Sequence, residues 1–510
     1  MKAVRRVRDS GNNTVGFLLD DGNFYTLEMI KKNINVIENL TITKSGVIRS
    51  KHKLQIVMYK AISRKIYTTL SKQNPFARDI QKDLLDWKND PLHKVLQSEG
   101  SRQIGKTTEL LKFGYKNYEY VIYVNLASDD YNFQDLVLSS GIHTLSMETY
   151  CRQANLPSFV NNKNTLLILD EIQVSPKAYN SVRSIHHNLK CDLIVTGSYL
   201  GQILNSEYFQ PAGTVSYLEM TPLSFGEFCR VFDKEDVLQN IDMYGDSDDK
   251  DYQKLLSLYN VYRQIGGYPE VVKTYLRTRS IEKSLKVVDN LMTTFSNESA
   301  VYLSKEPLLF RAVFKAVAQE MANEKRGTGG SLIGNLTSIV NQNRELLVSK
   351  KEVMTAIQWL IHSGIIGYCD LFVEGNFQNI AYARRIYFRD CGLVNYILNS
   401  AMIPKSSAEG LLSETFVYDE LYRLHKESKL KRKDPSFSTK DGYELDFLVA
   451  TKDFTRYGIE VKTSKGSIKS LTYFKSCGII DKMVVAKETK GGKSNGILTI
   501  PIFTISRLFK

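Results

Sequence analysis

The chain has 510 residues, of which 43% are hydrophobic and 24% charged, a balance that excludes a disordered tail protein or a fibre. Mean hydropathy is −0.25, and no run approaches the roughly 18 apolar residues of a membrane helix, so no membrane partner is expected. The net charge of +13 sits at the two ends: residues 1–65 hold 13 Lys and Arg against 5 Asp and Glu, and residues 411–510 hold 19 against 12. Such basic ends suit nucleic-acid phosphates, or serve simply as a solubilising surface.

The opening Met1–Arg8 is basic but leads into no apolar signal core, and the six cysteines are isolated, so a reducing cytoplasmic setting is expected. Val15–Leu19 and Asn23–Leu27 flank Asp20-Asp21-Gly22, a hairpin turn. A short helix near 27–33 and a strand near 35–43 complete a small basic module over 1–65. Helical character over 55–90, including Ala77–Lys88, ends at Asn89-Asp90-Pro91. Apolar strand-like runs then follow at Lys94–Gln97, Tyr120–Leu126, Thr165–Leu169, Leu193–Thr196 and Thr214–Met220, separated by helix-like segments. That alternation, over 66–230, predicts a parallel sheet covered on both faces.

Residues 231–305 read as helical, with a break at Gly266-Gly267-Tyr268-Pro269. Over 306–405 helices near 308–323, 331–340 and 349–363 precede two strands, Gly364–Val373 and Ile380–Phe388, the pattern of a winged helix. Gly327–Gly330 reads as a flexible break and Gly491–Gly496 as a loop. Residues 406–510 combine an amphipathic helix at 411–425, strands near 443–450, 458–463 and 482–486, and a helix near 466–476. Trp87 and Trp359 fall in helical apolar patterns and are expected in the core.

Gly100-Ser101-Arg102-Gln103-Ile104-Gly105-Lys106-Thr107 fits G-x-x-x-x-G-K-[ST] at every fixed position. Its glycines let backbone N–H groups turn toward phosphate oxygens, Lys106 reaches the terminal phosphates, and Thr107 offers a hydroxyl to Mg²⁺. Thr108 continues into the helix, whose positive end faces the anion. About 60 residues on, Thr165–Leu169 runs into Asp170 and Glu171. A buried parallel strand delivers such residues to the crevice at its C-terminal end, where Asp170 would orient Mg²⁺ and Glu171 would act as general base on water. A third strand ends in Thr196-Gly197-Ser198, and Thr196 or Ser198 can reach the γ-phosphate or the water. ATP and Mg²⁺ are thus the expected cofactors.

These motifs, with Pro222-Leu223-Ser224-Phe225-Gly226-Glu227-Phe228 and Gly266-Gly267-Tyr268-Pro269-Glu270-Val271-Val272 in order, resemble the prokaryotic AAA+-type ATPases related to the archaeal ATPase group. The resemblance covers roughly residues 75–510. It implies a P-loop NTPase core at 66–230, a helical lid at 231–305, a winged helix at 306–405 and a C-terminal α/β domain of restriction-endonuclease-like fold at 406–510. One departure concerns the Gly-Arg that such ATPases carry before the strand into Pro-Leu-Ser-Phe. Ala212-Gly213-Thr214-Val215 stands there, and no arginine occurs between Arg183 and Arg230. Arg230 and Arg263 are the fallback candidates for an arginine finger, and the alternative for each is an ordinary ion pair.

Tyr443–Val449 alternates, as does Gly458–Lys462, so Glu444 and Asp446 share one strand face and Glu460 and Lys462 another. Thr451–Tyr457 suits a hairpin that brings those faces together. Asp followed by Glu-x-Lys resembles the PD-(D/E)XK nuclease pattern. The resemblance implies that Asp446 and Glu460 hold Mg²⁺, that Lys462 steadies charge at the phosphorus, and that Glu414 is the helix glutamate. An exposed hairpin with cross-strand charge pairing would give the same letters. Lys429–Lys433, Lys350-Lys351 and Arg384-Arg385 are candidate DNA contacts. The sequence therefore points to an ATPase coupled to a nuclease-like, DNA-contacting end. The alternatives are an ATP-gated DNA nuclease, for instance one serving defence, and a nucleotide-responsive DNA-binding regulator or protein-partnered scaffold with an inactive nuclease fold.

Overall fold

The structure is a computed structural model. It describes residues 3–8, 14–19, 24–26, 65–128, 132–154, 156, 159–198, 206–209, 211, 213–303, 305–324, 331–342, 347–372, 384–426, 429–431, 435–463 and 468–509. Strands β1 (Ala3–Arg8), β2 (Thr14–Leu19) and β3 (Phe24–Thr26) form an antiparallel sheet in that order. Leu18 pairs with Phe24 and Phe17 with Tyr25, as the hairpin reading requires. The Asp20-Asp21-Gly22 turn, the helix near 27–33, the strand near 35–43 and the Gly327–Gly330 break lie outside the described residues.

The chain divides into two compact units, Met1–Gly100 with Gly105–Met220, and Ser101–Ile104 with Thr221–Lys510. The first is built on a parallel sheet of β4 (Val95–Glu99), β5 (Tyr120–Asn125), β6 (Thr165–Asp170), β7 (Asp192–Thr196) and β8 (Val215–Glu219). All five predicted strands are present, in the order β5-β6-β7-β4-β8. Every residue of β6 and β7 is buried, which is why both read as continuous apolar runs rather than alternating ones. The period-2 backbone still sorts them: Leu167, Leu169, Leu193 and Val195 pack on one face with Phe133 and Tyr179. Leu166, Ile168 and Ile194 pack on the other with Trp87 and Phe113. From β4 the chain crosses to β5 at the far edge, returns through β6 and β7, and then places β8 on β4's other side. The C-terminal end of β4 is thus a switch point, where α/β sheets open a crevice.

The second unit begins with helices Phe225–Val231, Glu235–Asn240, Asp249–Ile265, Pro269–Thr278 and Ile281–Leu303, followed by Pro307–Glu324, Leu332–Gln342 and Lys350–His362. Ser224 and Glu227 close a capping box on the first of them. Strands β9 (Ile366–Leu371) and β10 (Arg384–Phe388) come next, then helices Cys391–Ser400 and Lys405–Lys426. Strands β11 (Ser436–Lys440), β12 (Tyr443–Ala450) and β13 (Arg456–Lys462) precede the helix Lys469–Ser476. Finally β14 (Lys482–Lys487), β15 (Gly492–Ser494) and β16 (Ile497–Pro501) complete a mixed eight-stranded sheet, ordered β10-β9-β11-β12-β13-β14-β16-β15.

Three observations refine the sequence reading. The strands expected as a wing, β9 and β10, are the outer pair of this sheet, because β9 runs parallel to β11 and bonds to it. A boundary at 405 therefore passes through one sheet. Gly491–Gly496, expected as a loop, instead contributes β15, paired antiparallel with β16. The expected lid and the C-terminal elements also share one aromatic core, in which Phe225, Tyr259 and Phe416 meet edge to face and Phe503 closes the group. Trp87 and Trp359 are both buried, as expected.

The break at Gly266-Gly267 has a steric cause. Gly266 lies at φ +71°, and a Cβ on Gly267 would fall 2.2 Å from the Leu223 carbonyl oxygen. The Gly267 N–H donates to buried Asp390 (2.6 Å), whose other oxygen caps the helix Cys391–Ser400 by accepting from the Leu393 N–H (3.1 Å).

Candidate functional site

The phosphate-binding loop follows β4. Gly100, Gln103 and Gly105 all have positive φ, and Gly105 (φ +90°) immediately precedes the helix Lys106–Asn117. The loop thereby turns its amides inward and ends on a positive helix end. Lys106 is buried and donates to the Gly100 carbonyl (2.8 Å), folded back over the loop it serves. Ile104 is fully buried and anchors the loop. Ser101 accepts a hydrogen bond from the Tyr268 hydroxyl (2.9 Å), and Arg102 pairs with Glu298 (3.0 Å); all four residues belong to the second unit. Thr108 continues the helix.

The two acids expected at the end of β6 are brought to this loop. Thr107 Oγ1 donates to Asp170 Oδ2 (2.7 Å), the hydroxyl–carboxylate pairing that a shared Mg²⁺ would join. Tyr123 on β5 donates to the same oxygen (2.9 Å), while Asp170 Oδ1 accepts from the Glu171 N–H (2.8 Å). Burial, then the Asp170 charge, raises Tyr123 well above the ordinary phenol range, so it stays a donor. Glu171 adopts φ +53°, a left-handed conformation that turns its carboxylate away from the line of β6. Gln173 (2.5 Å) and Ser198 (3.4 Å) donate to its two oxygens and hold it in place. Thr196 instead donates to the Ser98 carbonyl (3.0 Å), tying β7 to β4, so the choice between Thr196 and Ser198 falls on Ser198. Sequence reading missed Tyr123 and Gln173. The only signal was position: Tyr123 interrupts the aliphatic run Val121-Ile122-Tyr123-Val124, and Gln173 lies two residues beyond Glu171.

Neither fallback arginine is available as a finger in this arrangement. Arg230 forms a two-bond pair with Glu235 (2.6 and 2.5 Å), and Arg263 is largely buried against Glu488 (2.6 Å).

A second constellation lies wholly within the second unit. A cavity of about 250 Å³ is lined by Glu414, Glu444, Asp446, Lys462 and Arg385, with Met321, Tyr387 and Leu411 among the apolar walls. The expected hairpin is formed, with Phe447 opposite Ile459, and it brings the polar faces of β12 and β13 together. Asp446 Oδ2 accepts from the Val461 N–H (2.8 Å). Glu460 is 3% exposed; one carboxylate oxygen meets Lys462, and the other is buried with no partner. Burial, then the Asp446 charge, pushes Glu460 up to about 7 despite Lys462. For Lys462, the charges of Asp446, Glu460 and Glu414 outweigh burial and raise it.

Among the described residues no three His, Cys, Asp or Glu side chains are gathered closely enough to hold a metal ion as they stand. The fit for a divalent cation therefore rests on Asp446 and Glu460, and on the orphaned Glu460 oxygen in particular, since an unsatisfied buried carboxylate oxygen calls for a cation or donor. Glu414 belongs to the cavity wall.

The basic candidates for DNA contact separate. Lys350 and Lys351 are exposed at a helix start, and Lys431 is exposed with its ammonium over Phe454. The side chain of Arg384, with Arg432 and Lys433, lies outside the described residues. Arg385 is not a surface contact: it is 7% exposed, pairs with Glu444 (2.5 Å) and stacks on Phe437. Its burial follows from the Phe437 ring beneath it and from the cavity wall it forms with Met321, Tyr387 and Leu411.

Comparison with known proteins agrees with the first site. Residues 93–229 match the family model described as an AAA domain, so the chain carries an AAA-type P-loop ATPase-like domain. Residues 256–402 and 409–505 match two domains of unknown function, DUF8612 and DUF4143. No curated protein matches the sequence. Similar solved structures include a Walker-type ATPase of Pyrococcus abyssi, 13% identical over 63% of this chain and 95% of that one, with a TM-score of 0.39. The Orc1 protein of Aeropyrum pernix, solved with DNA, is 14% identical over 66% and 92%, with a TM-score of 0.30. The RuvB Holliday junction branch migration motor of Thermotoga maritima is 11% identical over 57% and 89%, with a TM-score of 0.26. Among the described residues no helix is long and apolar enough to cross a membrane.

Proposed function

We propose that the protein binds ATP with Mg²⁺, hydrolyses it, and couples that cycle to a C-terminal nuclease-like, DNA-contacting domain. The observation that carries the reading is the Thr107–Asp170 hydrogen bond, with Glu171 held beside it by Gln173 and Ser198. Mg²⁺ would supply charge neutralisation at the β- and γ-phosphates. Loop amides and Lys106 bind the phosphate oxygens, Thr107 and Asp170 hold the cation, and Glu171 takes the proton of the attacking water. With Arg230 and Arg263 engaged in ion pairs, slow turnover is expected. The reading includes a cytoplasmic location, supported by six unpaired cysteines.

Lys106→Ala is expected to abolish nucleotide binding. Glu171→Gln is expected to keep binding and to lower phosphate release by about 10²–10⁴-fold, the usual contribution of a general base. Calorimetry with ATP and a phosphate-release assay read the two effects, and normal release by Glu171→Gln would remove the base from the scheme.

The partnerless oxygen of Glu460 favours a second reading, an ATP-gated metal-dependent DNA nuclease. There Asp446 and Glu460 would hold the cation and Lys462 would steady charge on the phosphorus. Plasmid and linear DNA incubated with ATP and Mg²⁺ or Mn²⁺ test it: cleavage lost in Lys462→Ala supports a nuclease. Salt-sensitive binding without cleavage supports a regulator, and the absence of both binding and cleavage supports a scaffold for a protein partner.

A further inference from the structure

Arg385 is a buried cation whose role the nuclease-like pattern leaves unassigned. It opens on the same cavity as Glu414, Asp446 and Lys462, reaching it from β10, the outermost strand on that side. Its guanidinium is fixed from two directions, lying over the Phe437 ring (4.2 Å) and pairing with Glu444 (2.5 Å). The pairing is unequal: Arg385 is 8% exposed at its side chain, whereas Glu444 is 45% exposed. The fixed member is the cation, and the member able to leave for water is the carboxylate. A guanidinium fork that accepts a carboxylate accepts a phosphate oxygen pair with the same planar geometry. Lys462 lines the same cavity and meets Glu460, whose other carboxylate oxygen is buried without a partner.

We propose that Arg385 is the anchor for a nucleic-acid phosphodiester in this cavity, and that Glu444 occupies the anchor in the resting chain as an internal stand-in for that phosphate. The inference deepens the nuclease-like reading and rests on it for the choice of ligand. Binding then requires Glu444 to swing into solvent, and the site exchanges one anion for another on a cation that does not move. Glu414 and Asp446 also face the cavity, so a bound divalent cation favours the exchange.

The test measures binding of the full chain to fluorescent single-stranded and duplex DNA and RNA oligonucleotides in Ca²⁺, with inorganic phosphate as competitor. Glu444→Gln is expected to tighten binding about fivefold, one charge-assisted hydrogen-bonded pair having been removed from competition. Arg385→Lys, which keeps the charge and loses the fork, is expected to weaken it about tenfold. In the Arg385→Lys background the gain from Glu444→Gln should shrink to less than about twofold, since the two residues act as one unit. Asp441→Asn, which removes an exposed charge on the preceding turn, should change affinity little. Equal gains from Glu444→Gln in both backgrounds would reduce Glu444 to general repulsion and overturn the proposal, as would unchanged binding by Arg385→Lys at an unchanged melting temperature. A parallel cleavage assay separates the two ideas. Tighter binding by Glu444→Gln without cleavage in any variant keeps the anchor and removes the nuclease. Cleavage lost in Lys462→Ala but indifferent to Arg385 and Glu444 does the reverse.

Discussion

At the scale of single residues, the ATPase-like site is held together by donors converging on two acids. Tyr123 and Thr107 share one oxygen of Asp170, so removing the phenol frees the carboxylate proposed to orient Mg²⁺ to rotate. Tyr123→Phe is expected to raise the Mg²⁺ concentration for half-maximal phosphate release about fivefold, the worth of one hydrogen bond of about 1 kcal/mol, while ATP affinity without metal stays unchanged. Asp390 makes a different prediction. Burial raises it from 3.8 to about 7, against the N–H donors of Gly267 and Leu393 that pull it down. A folded value above the unfolded one means that the native chain holds the extra proton. The stabilisation is full below about pH 4 and is lost as pH climbs toward 7. Urea midpoints at pH 5 and 7.5 should show that Asp390→Asn removes a loss on the order of 2–3 kcal/mol. The residues proposed to touch phosphate were legible because that chemistry dictates their spacing, as in Gly105-Lys106-Thr107. Tyr123 and Asp390 were not, since each acts through a partner far away in sequence.

At the scale of elements, legibility followed burial. The run Thr165-Leu166-Leu167-Ile168-Leu169 reads as a central strand because both its faces are covered, and it is one. β11 and β15 are short and carry Ser, Thr, Lys and Gly, so their letters do not separate them from loops; pairing with β9 and β12, and with β16, makes them strands. The wing strands were found and do pair with each other, but the further bond of β9 to β11 was not foreseen, because strand partnership across some 60 residues leaves no local mark. The Gly266-Gly267 turn was visible as a break, while its cause, the Leu223 backbone lying against it, was not. Gly267→Ala should therefore cost about 2 kcal/mol or more, read as a lower melting temperature, since backbone rather than a flexible side chain must give way.

At the scale of the whole chain, ligand linkage gives the most direct check. Mg²⁺–ATP at about 100 times its dissociation constant should add about 2.7 kcal/mol to the stability of the folded form. The resulting rise in melting temperature should be absent in Lys106→Ala. The division into five parts was drawn from composition and pattern, whereas compactness follows cores. Phe225, Tyr259, Phe416 and Phe503 meet although the first and the last are 278 positions apart.

The parallel seam between β9 and β11 has a practical consequence for anyone trimming this molecule. A fragment starting at residue 406 would keep β11 but lose the two strands that cover its flank, leaving a row of naked amides and carbonyls ready to zip onto a sister copy. Light scattering should find that piece clumping, whereas a piece beginning at residue 221 keeps its flank covered and stays monodisperse.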